Sequence, residues 1–203
     1  MHSSRMIIAA VAASAFGLLA GTAPALAADG KALFTDKGCV ACHGEDARTP
    51  LQEGYPKLAG QNAEYVLQQL VDIKSGKRAN GQTAEVMKPV LDEIDEADLK
   101  ALADYLGSLA PFAGAAAKGP DGPGKKLFLT KTCIACHGRE GNKPVLKIYP
   151  FTAGQDKTYI LQQMSDIKAG RRTNGAVAAM APVMHLVTDE EMGAIADYLS
   201  NVK

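Results

Sequence analysis

The chain predicts an all-α protein made of one helical module written twice. Three observations carry that expectation: an internal repeat at a fixed offset, apolar residues at helical rather than alternating spacing, and helix-start signals at matching places in both copies. Shifted by 94 residues, Gly30-Lys31 and Leu33-Phe34 recur as Gly124-Lys125 and Leu127-Phe128. Cys39-Val40-Ala41-Cys42-His43-Gly44 recurs as Cys133-Ile134-Ala135-Cys136-His137-Gly138. Between Tyr55 and Gly81, 16 of 27 positions are identical at that offset. One residue is then lost, and an offset of 93 pairs Met87 with Met180, Pro89 with Pro182, and Ala103-Asp104-Tyr105-Leu106 with Ala196-Asp197-Tyr198-Leu199.

In chain order, the first element is a targeting segment. Arg5 supplies a positive start, Met6 to Ala20 an uncharged apolar run, and Ala25-Leu26-Ala27 a small-x-small cleavage site. Residues 1–27 are therefore expected to be a signal peptide, cut after Ala27 or Ala28, with export to the bacterial periplasm. The run is Ala-rich and broken by Ser14 and Gly17, which weakens it as a membrane anchor. Residues 28–109 form the first module. Residues 110–123, rich in Pro, Gly and Ala and without apolar periodicity, read as a linker, and residues 124–203 form the second module.

Within each module a short helix precedes the first cysteine. Asn62 and Asp156 stand as N-caps for helices whose apolar faces are Tyr65, Leu67, Leu70 and Val71, and Tyr159, Leu161 and Met164. Capping boxes, Asp95 with Asp98 and Thr188 with Glu191, open the last helices. Leu99, Leu102 and Leu106 follow the first, and Met192, Ile195 and Leu199 the second.

Lys plus Arg and Asp plus Glu are 22 each, so the basic excess that drives nucleic-acid binding is missing. The balance hides an asymmetry. Residues 28–112 carry 9 basic and 14 acidic side chains, and residues 113–203 carry 12 and 8. Such a dipole would orient the two ends toward different partners, chiefly through encounter rate.

All four cysteines lie in two Cys-x-x-Cys-His strings. Two thiols at that spacing can add to the two vinyl groups along one porphyrin edge, and the adjoining histidine then lies under the iron; the string is the c-type haem attachment signal. Zinc would need four donors gathered at one place, whereas Cys42 and Cys133 are far apart in sequence. A thioredoxin-like dithiol would sit on a βαβ pattern, which is missing, and paired disulfides leave the two histidines without a reason. The strings thus point to two covalent haem c groups, with Cys39, Cys42, Cys133 and Cys136 as thioethers and His43 and His137 as proximal ligands.

The second axial position decides between electron transfer and ligand chemistry. Met87 and Met180 stand 44 and 43 residues after their histidines, each in Met-x-Pro-Val just ahead of the last helix. A lone methionine is ordinarily core filler, but this one is repeated with its context. Met184 and His185 align with Leu91 and Asp92, so they read as packing and as surface. Thioether ligation favours ferrous iron and raises the potential relative to a second imidazole.

These residues give a family likeness: residues 28–203 resemble the dihaem cytochrome c4 family. The likeness rests on the two Cys-x-x-Cys-His strings, the Tyr-Pro-x-x-Ala-Gly-Gln blocks at 55–61 and 149–155, and Met-x-Pro at 87–89 and 180–182. It implies two class I cytochrome c folds about a pseudo-two-fold axis, His/Met ligation, and propionates near the domain interface. By the same likeness Pro56 and Pro150 accept the Nδ1 proton of the proximal histidines, and Arg78, Arg172, Tyr55 and Tyr149 are candidates to contact propionates. It further implies a periplasmic electron shuttle without catalysis of its own, fed by a dehydrogenase or quinol-oxidising complex, often delivering to a terminal oxidase, with peripheral membrane association left open. Dihaem subunits of sulfide and thiosulfate dehydrogenases are similar, so a subunit role stays open, as does a dihaem peroxidase. One departure stands out: Phe151-Thr152 replaces Lys57-Leu58, which would expose the two haem edges unequally.

Overall fold

A computed structural model describes residues 29–203; the expected signal segment lies outside the described residues. Ten α-helices and no strand occur among these residues. The first half holds α1 (Gly30–Asp36), α2 (Val40–His43), α3 (Ala63–Lys74), α4 (Lys88–Asp92) and α5 (Glu96–Ser108). The second holds α6 (Pro123–Thr130), α7 (Ile134–His137), α8 (Lys157–Lys168), α9 (Val177–Met184) and α10 (Asp189–Ser200).

In each half the last helix is the organiser. α1 and α3 pack on α5, and α6 and α8 pack on α10. Phe34, Leu91, Ile94, Leu99, Leu102 and Leu106 fill the first core, and Phe128, Val187, Met192, Ile195, Leu199 and Val202 the second. Full burial of each such side chain contributes about 1.5–3 kcal/mol. The opening helix crosses so closely that a Cβ on Gly30 would stand 2.2 Å from the Ala101 carbonyl, and one on Gly124 2.1 Å from that of Ala194. The repeated glycine is therefore a packing requirement.

The helix starts follow the sequence with one exception. Asp95 accepts from the Asp98 amide, Thr188 and Glu191 close a full capping box, and Asp156 accepts from the Tyr159 amide. Asn62 occupies the N-cap position of α3 but its side chain does not cap the helix. Its Nδ2 donates instead to the Tyr149 carbonyl of the other half at 2.7 Å.

The segment between the halves is irregular but anchored. Ala113 and Ala117 are buried in the second core. Asn142 Nδ2 donates to the carbonyls of Gly114, Ala115 and Ala117, and Lys118 and Lys203 exchange main-chain bonds.

Across the interface each half reads the other reciprocally. Gln61 accepts from the Phe151 amide at 2.7 Å and donates to its carbonyl at 3.0 Å. Gln155 does the same to Lys57, at 2.8 and 2.9 Å. Because each glutamine pairs with main chain, exchanging Lys for Phe at this position leaves the contact intact. The Lys57 ammonium also donates to the Gly154 carbonyl at 2.6 Å. Burial pulls that ammonium below the usual lysine range, against the pull of Asp156.

Candidate cofactor sites

Each Cys-x-x-Cys-His string winds into a single helical turn, α2 or α7, begun by its first cysteine and ended by its histidine. The next residue must turn the chain sharply. Gly44 and Gly138 adopt φ +78° and +76°, where L side chains are disfavoured, and a Cβ there would lie 2.2 Å from the Thr49 carbonyl or 2.4 Å from that of Lys143.

His43 and His137 are buried, and their Nδ1 atoms lie 3.0 Å from the Pro56 carbonyl and 3.2 Å from that of Pro150. A carbonyl only accepts, so Nδ1 carries the proton and donates, leaving Nε2 as the lone-pair atom. Burial pushes both imidazoles below their usual range, opposed by these carbonyl bonds, and so favours the neutral ligand form. Nε2 of His43 is buried and meets no hydrogen-bond partner among the described residues. A buried acceptor left unpaired is costly unless something else binds it, which is what an axial iron ligand requires.

The first thiol of each string has the wrong acidity for exchange chemistry. Burial pushes the Cys39 thiol up and that of Cys133 up to about 11, whereas a reactive dithiol needs a lowered value. All four cysteines stand half-buried.

Two apolar cavities adjoin the strings. One, of about 430 Å³, is bordered by Cys42, His43, Tyr55, Pro56, Ile73, Met87 and Leu106 and continues across the interface to His137, Phe151 and Met180. The other, of about 340 Å³, is bordered by Cys133, Cys136, His137, Ile160, Met164, Met180 and Leu199. Each therefore has a histidine and a methionine in its wall, and the residues fit a haem held between them.

Met87 closes a five-residue π-turn, Thr83–Met87, while Met180 lies within α9 two residues before Pro182. Met184 also borders the second cavity, but it is a core residue at 3% exposure, as Leu91 is at its counterpart position; His185 is exposed. Tyr55 and Tyr149 pack beside the histidine rings, centroids 6.3 and 6.5 Å apart.

Arg78 and Arg172 are buried at the centre of the interface, among polar residues that the sequence did not single out. Arg78 donates to Asn80, Gln69, Gln163 and the Tyr159 hydroxyl. Arg172 donates to Asn174, Gln163, Gln69 and the Tyr65 hydroxyl. Asn80 then reaches Asp166, and Asn174 reaches Asp72, each at 2.7 Å. Four of the five N–H groups of each guanidinium are thus engaged inside the protein, and both arginines still border the larger cavity. The usable signal was the exact repetition of Tyr65 and Gln69 in α3 and of Asn80 in the loop after it as Tyr159, Gln163 and Asn174.

Two all-α halves, each with a histidine and a methionine on the wall of an apolar cavity beside a Cys-x-x-Cys turn, define a tandem c-type cytochrome. The Cytochrome c family model matches residues 27–110 and again 122–203. The chain is 31% identical over 199 residues to cytochrome c4 of Azotobacter vinelandii, covering 92% of each chain. It is 32% identical over 195 residues to the thiosulfate dehydrogenase electron acceptor of Stutzerimonas stutzeri strain A1501, covering 88% of each. The structure of Acidithiobacillus ferrooxidans cytochrome c4 superposes with a TM-score of 0.71 at 31% identity, over 82% of this chain and 99% of that one. The chain belongs to the cytochrome c family, in its dihaem cytochrome c4 branch. It is a dihaem electron-transfer cytochrome with two covalently bound haem c groups, and it exchanges electrons with redox partners.

Proposed function

We propose that the chain is a periplasmic electron shuttle that carries out no bond chemistry of its own, taking electrons from a dehydrogenase or quinol-oxidising complex and passing them to an acceptor such as a terminal oxidase. In this reading residues 28–109 and 124–203 are its two haem domains, joined by residues 110–123. Cys39 and Cys42, and Cys133 and Cys136, would tether the haems, and His43 with Met87, and His137 with Met180, would hold their irons. A haem bound there would supply the one-electron capacity.

The chain's own residues set the conditions for that exchange. The Pro56 and Pro150 carbonyls fix the histidine rings and raise their basicity. Tyr55 and Tyr149 pack beside those rings and border the cavities. Arg78 and Arg172 border the larger cavity with one N–H each beyond their protein partners, and haem propionates would accept from it. No helix among the described residues is long and apolar enough to cross a membrane.

The observation that carries the reading is the histidine and methionine shared by each cavity wall, since two protein ligands leave no iron position for a substrate. Carbon monoxide added to the reduced holoprotein tests it. The expected result is an unchanged visible spectrum, with a sulfur-to-iron charge-transfer band in the oxidised form. Rapid carbon monoxide binding at one haem would overturn the methionine assignment there and bring catalysis forward.

The subunit reading is favoured by one finding, the 32% identity to a thiosulfate dehydrogenase electron acceptor over 88% of the chain. Co-purification of a catalytic subunit with the native protein would establish it.

A further inference from the structure

The loop that follows each Cys-x-x-Cys-His turn is built on the same backbone plan in both halves. The Leu51 amide donates to the Cys42 carbonyl at 3.1 Å, and the Val145 amide to the Cys136 carbonyl at 3.0 Å. Its chemistry differs sharply. The first copy reads Thr49-Pro50-Leu51-Gln52-Glu53-Gly54 and the second Lys143-Pro144-Val145-Leu146-Lys147-Ile148. In the second, Val145, Leu146 and Ile148 are 61%, 49% and 46% exposed, and Lys143 and Lys147 beside them are exposed too. The first copy exposes one large apolar residue, Leu51, and carries Glu53 in place of a lysine.

The fold does not require those apolar side chains outside, because the first half makes the same turn without them. Exposed apolar residues gathered on one loop of a soluble domain mark a contact surface. Ile148 also borders the second cofactor cavity, so the patch is continuous with the wall around the cofactor. A surface that joins the cofactor cavity to solvent suits a partner that must bring its own redox centre close, and the lysines set the sign of its charge.

Resting on the electron-carrier reading, we propose that residues 143–148 are the docking face of the second domain for a redox protein whose apolar contact patch is rimmed by carboxylates. Apolar contact by Val145, Leu146 and Ile148 would exclude water from the short-lived complex, while Lys143 and Lys147 steer the encounter. Lys147 stands 3.6 Å from Glu64 in a pair exposed on both sides, so its ammonium can be shared with an incoming carboxylate.

The test gives the second loop four of the first loop's residues in the haem-loaded protein, as K143T/V145L/L146Q/K147E with Ile148 kept, and adds K147E and L146Q as single variants. Plastocyanin, a small copper protein with an acidic face, serves as the protein probe, hexaammineruthenium(II) as a small reductant and phosphatidylglycerol vesicles as the membrane probe. At low ionic strength, the electron-exchange rate with plastocyanin is expected to fall roughly ten-fold in the loop variant and to lose most of its salt dependence. Reduction by hexaammineruthenium(II) is expected to stay within two-fold of the parent. In the parent protein, methyl resonances of Val145, Leu146 and Ile148 are expected to shift on plastocyanin addition. An unchanged plastocyanin rate, or shifts confined to the first domain, would overturn the proposal. Vesicle binding lost in the loop variant with the plastocyanin rate intact would overturn it in favour of a membrane contact. Open irons in the carbon monoxide test would instead overturn the carrier reading, whatever the loop variants do.

Discussion

The two halves agree most closely where they face each other and least where they face solvent. At the interface Gln61 and Gln155 read each other's main chain, and Arg78 and Arg172 share both Gln69 and Gln163 as acceptors. On the outside, the loops at 49–54 and 143–148 keep one backbone plan with opposite charge. The difference separates two demands on a duplicated module. A pseudo-symmetric interface holds only if both copies keep the residues that read each other, whereas an exposed loop answers to whatever it meets.

The largest effect that could break this comparison is at the arginines. Arg78→Met strips donors from Asn80 and the Tyr159 hydroxyl, and Arg172→Met strips them from Asn174 and the Tyr65 hydroxyl. Two buried polar groups left short of partners cost about 3 kcal/mol in each case. Denaturant unfolding of the two holoprotein variants should therefore give equal losses, and the double variant more than their sum, since each of the two glutamines keeps one arginine donor until both are gone. Clearly unequal losses would mean that the interface is not functionally symmetric.

The helical class, the helix starts and the cofactor strings were legible because each is local, whereas the short helices α2, α4, α7 and α9 were not placed from the sequence. Cys-x-x-Cys-His occupies consecutive residues, Asp95, Asp156 and Thr188 cap helices three residues away, and the repeat places His43 against His137 by simple alignment. Asn62 failed as a cap because its competing acceptor, the Tyr149 carbonyl, lies 87 residues away. The arginines were picked out from sequence, but not the cage of Gln, Asn and Tyr that holds them. Those bonds join α3 and α8 and the loops that follow them, across the interface, which no helical periodicity reports. The linker's composition likewise gave no hint that Ala113 and Ala117 are core residues, because alanine is as common in loops as in cores.

A middle-sized effect sharpens the exception at Asn62 and Asp156. These residues are equivalent in the repeat, yet an amide can donate and a carboxylate cannot. Asp156 therefore accepts from the Tyr159 amide at 2.7 Å, capping α8, and from the Gly54 amide at 3.0 Å across the interface. Asp156→Ala removes a cap and a cross-domain bond together, about 2 kcal/mol, whereas Asn62→Ala removes one neutral bond, about 1 kcal/mol. Thermal unfolding of the two variants should rank them in that order. A reversed order would mean that the α3 start, not the interface, is what Asn62 supports.

The smallest effect concerns the anchored segment, where the halves have no counterpart contact. Glu140 accepts from the Tyr198 hydroxyl at 2.5 Å and from the Gly119 amide at 3.1 Å, and lies 3.6 Å from Lys125. Its equivalent, Asp46, turns instead to Arg48 and Thr49 within its own loop. Burial alone would raise the Glu140 carboxyl, but these donors outweigh it and hold the group below the usual carboxylate range. A carboxyl depressed on folding contributes stability that is fully present above its unfolded value, near 4.3. That contribution is lost as pH falls through the lower folded value. Glu140→Gln should therefore cost about 1 kcal/mol at neutral pH, and the gap between variant and parent should narrow in acid. Unfolding midpoints measured at pH 7 and at pH 3 check both parts. A gap that stays constant would mean that Glu140 acts through its shape and its neutral hydrogen bonds, with its charge contributing nothing to holding residues 113–119 on the second domain.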